Sequence, residues 1–236
     1  MHYLLFLLIV LSLACGNIDS ESMDNKPTTL SDLPPNLLAG LTPDNLQAWS
    51  WLNPPEKVEY GDGQIWVHAA SKTDYFNDPE TGNINGNAPL FYQEVRGDFI
   101  ATAQVEPDFA NVWNAVALMM YQDSLNWIKF AFENSDATGP GVVSVVTREV
   151  SDDANGPVLE NQPNLWLRLI RKGDLYAMHW SSDGHEYYMA RLSKMPPMET
   201  VKIGIESQCP IGVGARHRLQ YFSLEQRTVD DLRKGV

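Results

Sequence analysis

The chain has 236 residues, enough for one β-sandwich with a sizeable core plus tails and cramped for two full domains. Thirty acidic residues against 17 basic ones leave a formal net charge of −13. Nucleic-acid binding needs clustered Lys and Arg to displace counterions, so this balance speaks against it and favours neutral or cationic partners.

Tyr3 to Leu13 is an apolar run broken only by Ser12, too short to span a bilayer comfortably. Ala14, Cys15 and Gly16 follow, and an apolar stretch ending at small residues predicts a secretory signal over residues 1–15. A cysteine directly after Leu13-Ala14 resembles a bacterial lipobox, in which Cys15 would carry the lipid that anchors the mature chain to a membrane. Two departures are visible: no Lys or Arg precedes the run, and Ser12 stands where lipoboxes usually have Leu. An ordinary cleaved signal and an uncleaved anchor are the alternatives. All three place the protein outside the cytoplasm, in the cell envelope or secreted. The second cysteine, Cys209, then has no partner for an intrachain disulfide and reads as a small buried residue.

Residues 16–48 begin rich in Asn, Asp, Ser, Thr and Pro, a composition that reads as a spacer, with Leu37, Leu38 and Leu41 able to form a short helix or dock on the domain. From there the pattern changes to short β-branched and aromatic runs between turn residues, over 49–226, with a tail at 227–236. Predicted strands cover Gln64 to Ala70, Phe99 to Val105, the nearly all-apolar Ala115 to Tyr121, Trp127 to Glu133 and Val142 to Val150. Leu165 to Lys172 and Leu175 to Ser181 form a hairpin about Gly173-Asp174, and Ser182-Asp183-Gly184 opens a second into Tyr187 to Leu192. Val201 to Ile205 and Leu219 to Leu224 complete about a dozen strands. No stretch keeps a helical period and no repeat occurs, so the fold is all-β, a sandwich or barrel.

An ordered set of short motifs runs through this region. It comprises Thr73-Asp74-Tyr75-Phe76, Arg96-Gly97-Asp98-Phe99, Trp127-Ile128-Lys129 with Glu133, and Ser144-Val145-Val146-Thr147 with Ser151-Asp152. Trp166-Leu167-Arg168, Ser181-Ser182-Asp183-Gly184, Ile203-Gly204 and Ser207-Gln208-Cys209-Pro210 follow. The set resembles the YesU-like family, also described as regulation of enolase protein 1-like and as domain of unknown function 1349, over about Trp49 to Leu224. The resemblance implies a two-sheet antiparallel jelly-roll sandwich of the concanavalin A-like lectin/glucanase type. It brings no activity with it, because the family has no settled one. Where relatives carry Tyr-Asp-Gln-Ala-Gly, this chain reads Trp113-Asn114-Ala115-Val116-Ala117, and Ala131 replaces the glycine of a Lys-x-Gly-x-Glu spacing. Binding survives such replacements more easily than catalysis.

Lys129 and Glu133 lie four apart on a predicted strand and so share a face with Trp127, while Phe130 and Phe132 point the other way. An aromatic ring beside charged hydrogen-bonding groups suits a sugar; a Lys–Glu pair on a solvated sheet face is the bland reading of the same residues. Trp166 and Arg168 share a face of another strand, where the guanidinium could meet a ligand carboxylate or sit in a structural ion pair. Asp74 falls in a rim loop, as a binding group or an Asx turn. Asp152, with Asp153, could hold calcium, but no Asp-x-Asp-x-Asp-Gly loop is present. The five histidines form no zinc motif, and Gly-x-Ser-x-Gly and phosphate loops are missing, so no metal or cofactor is expected.

These residues fit three functions. The first is an exported, non-catalytic, lectin-like carbohydrate-binding domain whose ligand candidates are Asp74, Trp127, Lys129, Glu133, Asp152, Trp166 and Arg168. The second is a glycoside hydrolase pairing Glu133 with Asp74 or Asp152, although the Glu-x-Asp-x-x-Glu string of concanavalin-type glucanases is absent. The third is an envelope domain whose sheet face binds a protein.

Overall fold

A computed structural model describes residues 33–236. The signal at 1–15, Cys15 and the first half of the spacer lie outside the described residues.

Among the described residues, sixteen strands make two seven-stranded antiparallel sheets and one small hairpin. Edge to edge, the first sheet runs β1 (Ser50–Leu52), β6 (Leu90–Arg96), β15 (Thr200–Gln208), β8 (Ala115–Asp123), β9 (Asn126–Ser135), β10 (Gly139–Arg148) and β11 (Val150–Val158). The second runs β14 (Tyr188–Lys194), β13 (Leu175–Ser181), β12 (Leu165–Lys172), β7 (Phe99–Glu106), β16 (Ala215–Glu225), β3 (Gln64–Ala69) and β2 (Val58–Gly61). The hairpin pairs β4 (Tyr75–Asn77) with β5 (Ile84–Gly86). Among the described residues there is no α-helix, and the two large sheets form a jelly-roll sandwich.

Period-two alternation fixes which side chains enter the sandwich. Ile128, Phe130 and Phe132 of β9 join Val116, Leu118 and Met120 of β8 in the main core, facing Leu165, Leu167 and Leu169 of β12. Each fully buried side chain of this size contributes roughly 1.5–3 kcal/mol relative to exposure. The opposite face of the first sheet carries a second apolar cluster that includes Ala115, Ala117, Met119, Trp127, Ala131 and Val143. Strand β8, between β15 and β9, is buried on both faces from Ala115 to Met120, as its nearly unbroken apolar sequence requires. Gly204 of β15 is fixed by close approach: a Cβ there would collide with the Phe91 carbonyl oxygen of β6.

The Val142 to Val150 run is two strands rather than one. Glu149 adopts φ 68°, the chain reverses, and β11 returns along β10 with Thr147 opposite Ser151. Residues ahead of β1 pack on the sandwich: Leu38 and Leu41 are buried in the main core, and the Leu37 N–H donates to the Phe222 carbonyl at 2.8 Å. At the other end, Val229 and Leu232 bury against Ile100, Ile170 and Ala177 on the outer face of the second sheet. There the His179 Nε2 donates to the Leu232 carbonyl at 2.9 Å.

Candidate functional site

The hairpin β4–β5 crosses the outer face of the first sheet and divides it into a covered half and an open half. Three backbone-directed clamps hold it. The Asn53 amide donates to the Tyr75 hydroxyl at 3.0 Å and to the carbonyls of Gly86 and Ala88 at 2.9 and 3.1 Å. Asn77 donates through its amide to the carbonyls of Ser124 and Glu149, and its backbone N–H reaches the Ser151 hydroxyl at 2.8 Å. The Thr73 hydroxyl accepts from the Cys209 N–H at 3.0 Å and ties the start of the hairpin to the end of β15. So held, the Tyr75 ring packs edge-on to Trp127 with centroids 5.9 Å apart.

Beside this cover opens a cleft of about 670 Å³ whose lining includes Asp74, Trp113, Lys129, Glu133, Asp153 and Gln208. Its floor is polar and buried. Lys129 Nζ donates to Gln208 Oε1 at 2.9 Å, to the Tyr75 carbonyl at 2.9 Å and to Asp74 Oδ1 at 3.3 Å, which uses all three ammonium donors. Burial works against the Lys129 charge, but the nearby Asp74, Glu133 and Glu206 carboxyls outweigh it and hold the ammonium's pKa above its ordinary value.

Glu133 has only 7 % of its surface exposed. Burial is the main cause that lifts its carboxyl to about 7, partly offset by Lys129 and reinforced by Asp74, Asp153 and Asp136. Its chain-mate in this layer is Glu206 of β15, opposite Ala117 of β8. Glu206 is fully buried, and both carboxyl oxygens lack a hydrogen-bond partner. Burial, against the pull of Lys129, pushes its pKa far above the usual carboxylate range.

The rim carries an aromatic ring. Trp113 is 39 % exposed and its backbone sits at φ 64°, a left-handed conformation that a bulky residue adopts only under constraint. The constraint is visible. Its N–H donates to the Asn134 carbonyl at 2.7 Å, and its carbonyl accepts from Gln208 Nε2 at 2.8 Å. Gln208 therefore bridges the strained tryptophan and the buried lysine.

Of the sequence candidates, Asp74, Lys129 and Glu133 come together in this cleft. Trp127 shares their face but is fully buried under Tyr75, so its ring cannot receive a ligand. The other three are corrected out of the site. In β11, register pairs Asp153 with Val145 and Asp152 with Val146; Val146 faces the main core, so Asp153 faces the cleft and Asp152 does not. Asp152 instead pairs with Arg191 at 2.8 Å. Trp166 and Arg168 alternate with core residues Leu165, Leu167 and Leu169, which turns them to the far side of the second sheet. There the Arg168 guanidinium stacks 3.5 Å over the Tyr187 ring, and Trp166 is buried beside Tyr221. Trp113, Gln208 and Glu206 were missed as site residues. The alternation Ile203-x-Ile205-x-Ser207 marks Glu206 as facing away from the core, but only the register with β8 places it beside Lys129. Among the described residues, no group of three or more His, Cys, Asp or Glu is placed to hold a metal ion.

Fold and cleft together define a lectin-like β-sandwich of the concanavalin A type, with one polar-floored cleft on the outer face of its first sheet. Residues 51–227 match the family described as "Protein of unknown function (DUF1349)", and the chain belongs to that family. It is similar to "Regulation of enolase protein 1" of Saccharomyces cerevisiae, 24 % identical over 179 residues that cover 76 % of this chain and 90 % of that one. A solved structure of a functionally unknown protein from Saccharomyces cerevisiae superposes with a TM-score of 0.72 at 23 % identity, covering 77 % of this chain and 98 % of the other. The GH43 protein BlXynB of Bacillus licheniformis gives a TM-score of 0.59 at 11 % identity, with 76 % of this chain matching 37 % of that chain. The exoplasmic/lumenal domain of VIP36, solved with Ca²⁺ and Man3GlcNAc, gives 0.52 at 8 % identity, covering 80 % and 88 %. At these identities the neighbours establish the shared fold.

Proposed function

We propose that the protein is an exported carbohydrate-binding domain that holds a saccharide in the cleft beneath Trp113. The observation that carries this reading is the pairing of a half-exposed tryptophan, fixed in a strained backbone conformation, with a buried hydrogen-bonding floor of Lys129, Glu133 and Gln208. A flat ring covers the C–H face of a pyranose while lining carboxyls such as that of Glu133 accept from its hydroxyls. The sandwich of VIP36, solved with Man3GlcNAc, supports the reading by analogy of fold alone. Export rests on the apolar Tyr3 to Leu13 run and Cys15.

Glycan-array binding by the purified domain, lost in Trp113→Ala with an unchanged melting temperature, is the expected result. Unchanged binding in that variant would remove the cleft from the proposal. For export, metabolic lipid labelling that disappears in Cys15→Ala is expected of an anchored form. A second reading, glycoside hydrolysis with Glu133 as general acid, draws on the carboxyl held at about 7. Release of reducing ends that disappears in Glu133→Gln would favour it over binding alone.

A further inference from the structure

The lining of the cleft is strongly acidic. Six carboxyl side chains line it, those of Asp74, Asp78, Glu80, Glu133, Asp136 and Asp153, against the single ammonium of Lys129. That ammonium has no donor left for a ligand, because the Tyr75 carbonyl, Gln208 and Asp74 take all three. An anionic saccharide would face uncompensated repulsion here, and a neutral one would leave most of the acidic lining unused. The second, independent observation is Glu133 itself. It is more than nine-tenths buried, lines the cleft, and among the described residues no hydrogen bond holds its carboxyl. Its oxygens open on the cleft, where a ligand can supply the donor they lack.

A compact metal ion does not answer that need, since among the described residues no three potential ligands converge. A protonated amine does: it needs one or two acceptors, tolerates carboxylates spread along a cleft, and is attracted by an aromatic face. Trp113 supplies that face at the rim, and Glu133 and Asp153 both line the cleft, with Asp153 across β10 from Lys129 rather than from Glu133.

Resting on the saccharide reading above, we infer that the cleft selects an amine-bearing saccharide of the glucosamine type, with the pyranose against Trp113 and the ammonium at Glu133, within the field of Asp153. The net charge of −13 over the whole chain adds long-range attraction for a polycationic glycan.

The test uses three trisaccharides of known charge at pH 7.5, measured by calorimetry on the full mature chain: the glucosamine trimer, its N-acetylated form and a galacturonate trimer. The expected result is that the glucosamine trimer binds at least about tenfold more tightly than the N-acetylated one, the scale of one charge-assisted hydrogen bond. Its affinity should fall as salt rises. Asp153→Asn, an exposed position, should shrink the preference without changing the melting temperature, and Glu133→Gln should shrink it further. Equal or tighter binding of the N-acetylated trimer, or any preference for galacturonate, overturns the amine inference and leaves the saccharide reading standing. If none of the three trimers binds, and a glycan array is also blank, the saccharide reading fails and the inference with it.

Discussion

Lys129 and Asp74 are 55 positions apart in the chain, yet Nζ lies 3.3 Å from Oδ1, one from the centre of a sheet and one from the loop that leads into the covering hairpin. The contact links the cover to the floor. Lys129 is also the cation whose charge pulls against burial at both Glu133 and Glu206.

Removing that cation is expected to be severe. Lys129→Met keeps the stem's apolar packing but strands the Tyr75 carbonyl and Gln208 Oε1 without their donor and leaves the carboxyls unneutralised. Urea unfolding should show a loss of about 3–5 kcal/mol, the range for breaking a buried charged network by deleting one partner. Asp74→Asn, whose side chain is partly solvated, should cost much less. Equal losses in the two variants would mean that the Asp74 contact, rather than the lysine's full set of acceptors, holds the floor.

Glu206 should be dispensable for stability. Both its oxygens are buried without a hydrogen-bond partner, and burial works against their charge. Glu206→Met, of similar shape and without polar atoms, is expected to be at least as stable as the parent at pH 7.5, because an unsatisfied buried polar group costs about 1–3 kcal/mol. Thermal unfolding decides it. A drop of more than a few degrees would show that the carboxyl has a partner this geometry does not reveal.

The fold was legible because its rule is local. Alternation in Phe130 and Phe132 against Lys129 and Glu133 fixes two faces for β9, and the apolar run Ala115 to Met120 of β8 announces a strand covered on both sides. The site was legible only in part, because it depends on register and cover. A one-residue offset separates Asp153 in the cleft from Asp152 outside it, and nothing local in Ser151-Asp152-Asp153 reveals which carboxylate faces which way. Trp127 looked like a platform until Tyr75, from a strand of three residues, was found lying across it. Trp113 was hidden for a different reason. Its role comes from a left-handed backbone that no propensity assigns to tryptophan, and the bonds that enforce it reach Asn134 and Gln208, far along the chain.

Glu133 makes stability depend on pH in a defined direction. Its folded pKa of about 7 lies above the ordinary 4.5, so the folded state holds the proton more tightly than the unfolded chain. The contribution is full below about pH 4.5 and is lost as pH rises through 7, amounting to roughly 3 kcal/mol. Denaturant unfolding of the parent and of Glu133→Gln across pH 4.5 to 8 should give curves that diverge by about that amount, the variant gaining relative stability toward alkaline pH. Parallel curves would place the carboxyl's titration near its ordinary value and remove the buried-acid description of the floor.

His217 imposes the opposite slope, and it supports the rim rather than the floor. Its Nδ1 accepts the Asp108 N–H at 3.0 Å and its Nε2 donates to the Gln208 carbonyl at 2.9 Å, so one neutral tautomer satisfies both. Through Asp108, whose carbonyl accepts from the Asn114 amide at 2.8 Å, the ring fixes the loop that presents Trp113. Burial lowers the imidazole to about 4 from its ordinary 6.5. Here the unfolded chain takes the proton more readily, so the contribution is full above pH 6.5 and is lost as pH falls through 4, again roughly 3 kcal/mol. Protonation also puts a hydrogen on Nδ1, where an acceptor is required, and the Asp108 contact breaks. His217→Gln should therefore flatten the acid limb of the stability curve relative to the parent. In the parent, Trp113 fluorescence should change as pH approaches 4, ahead of global unfolding. If the acid limb keeps its slope in His217→Gln, a different group drives acid unfolding and the histidine is not the anchor of the Trp113 loop.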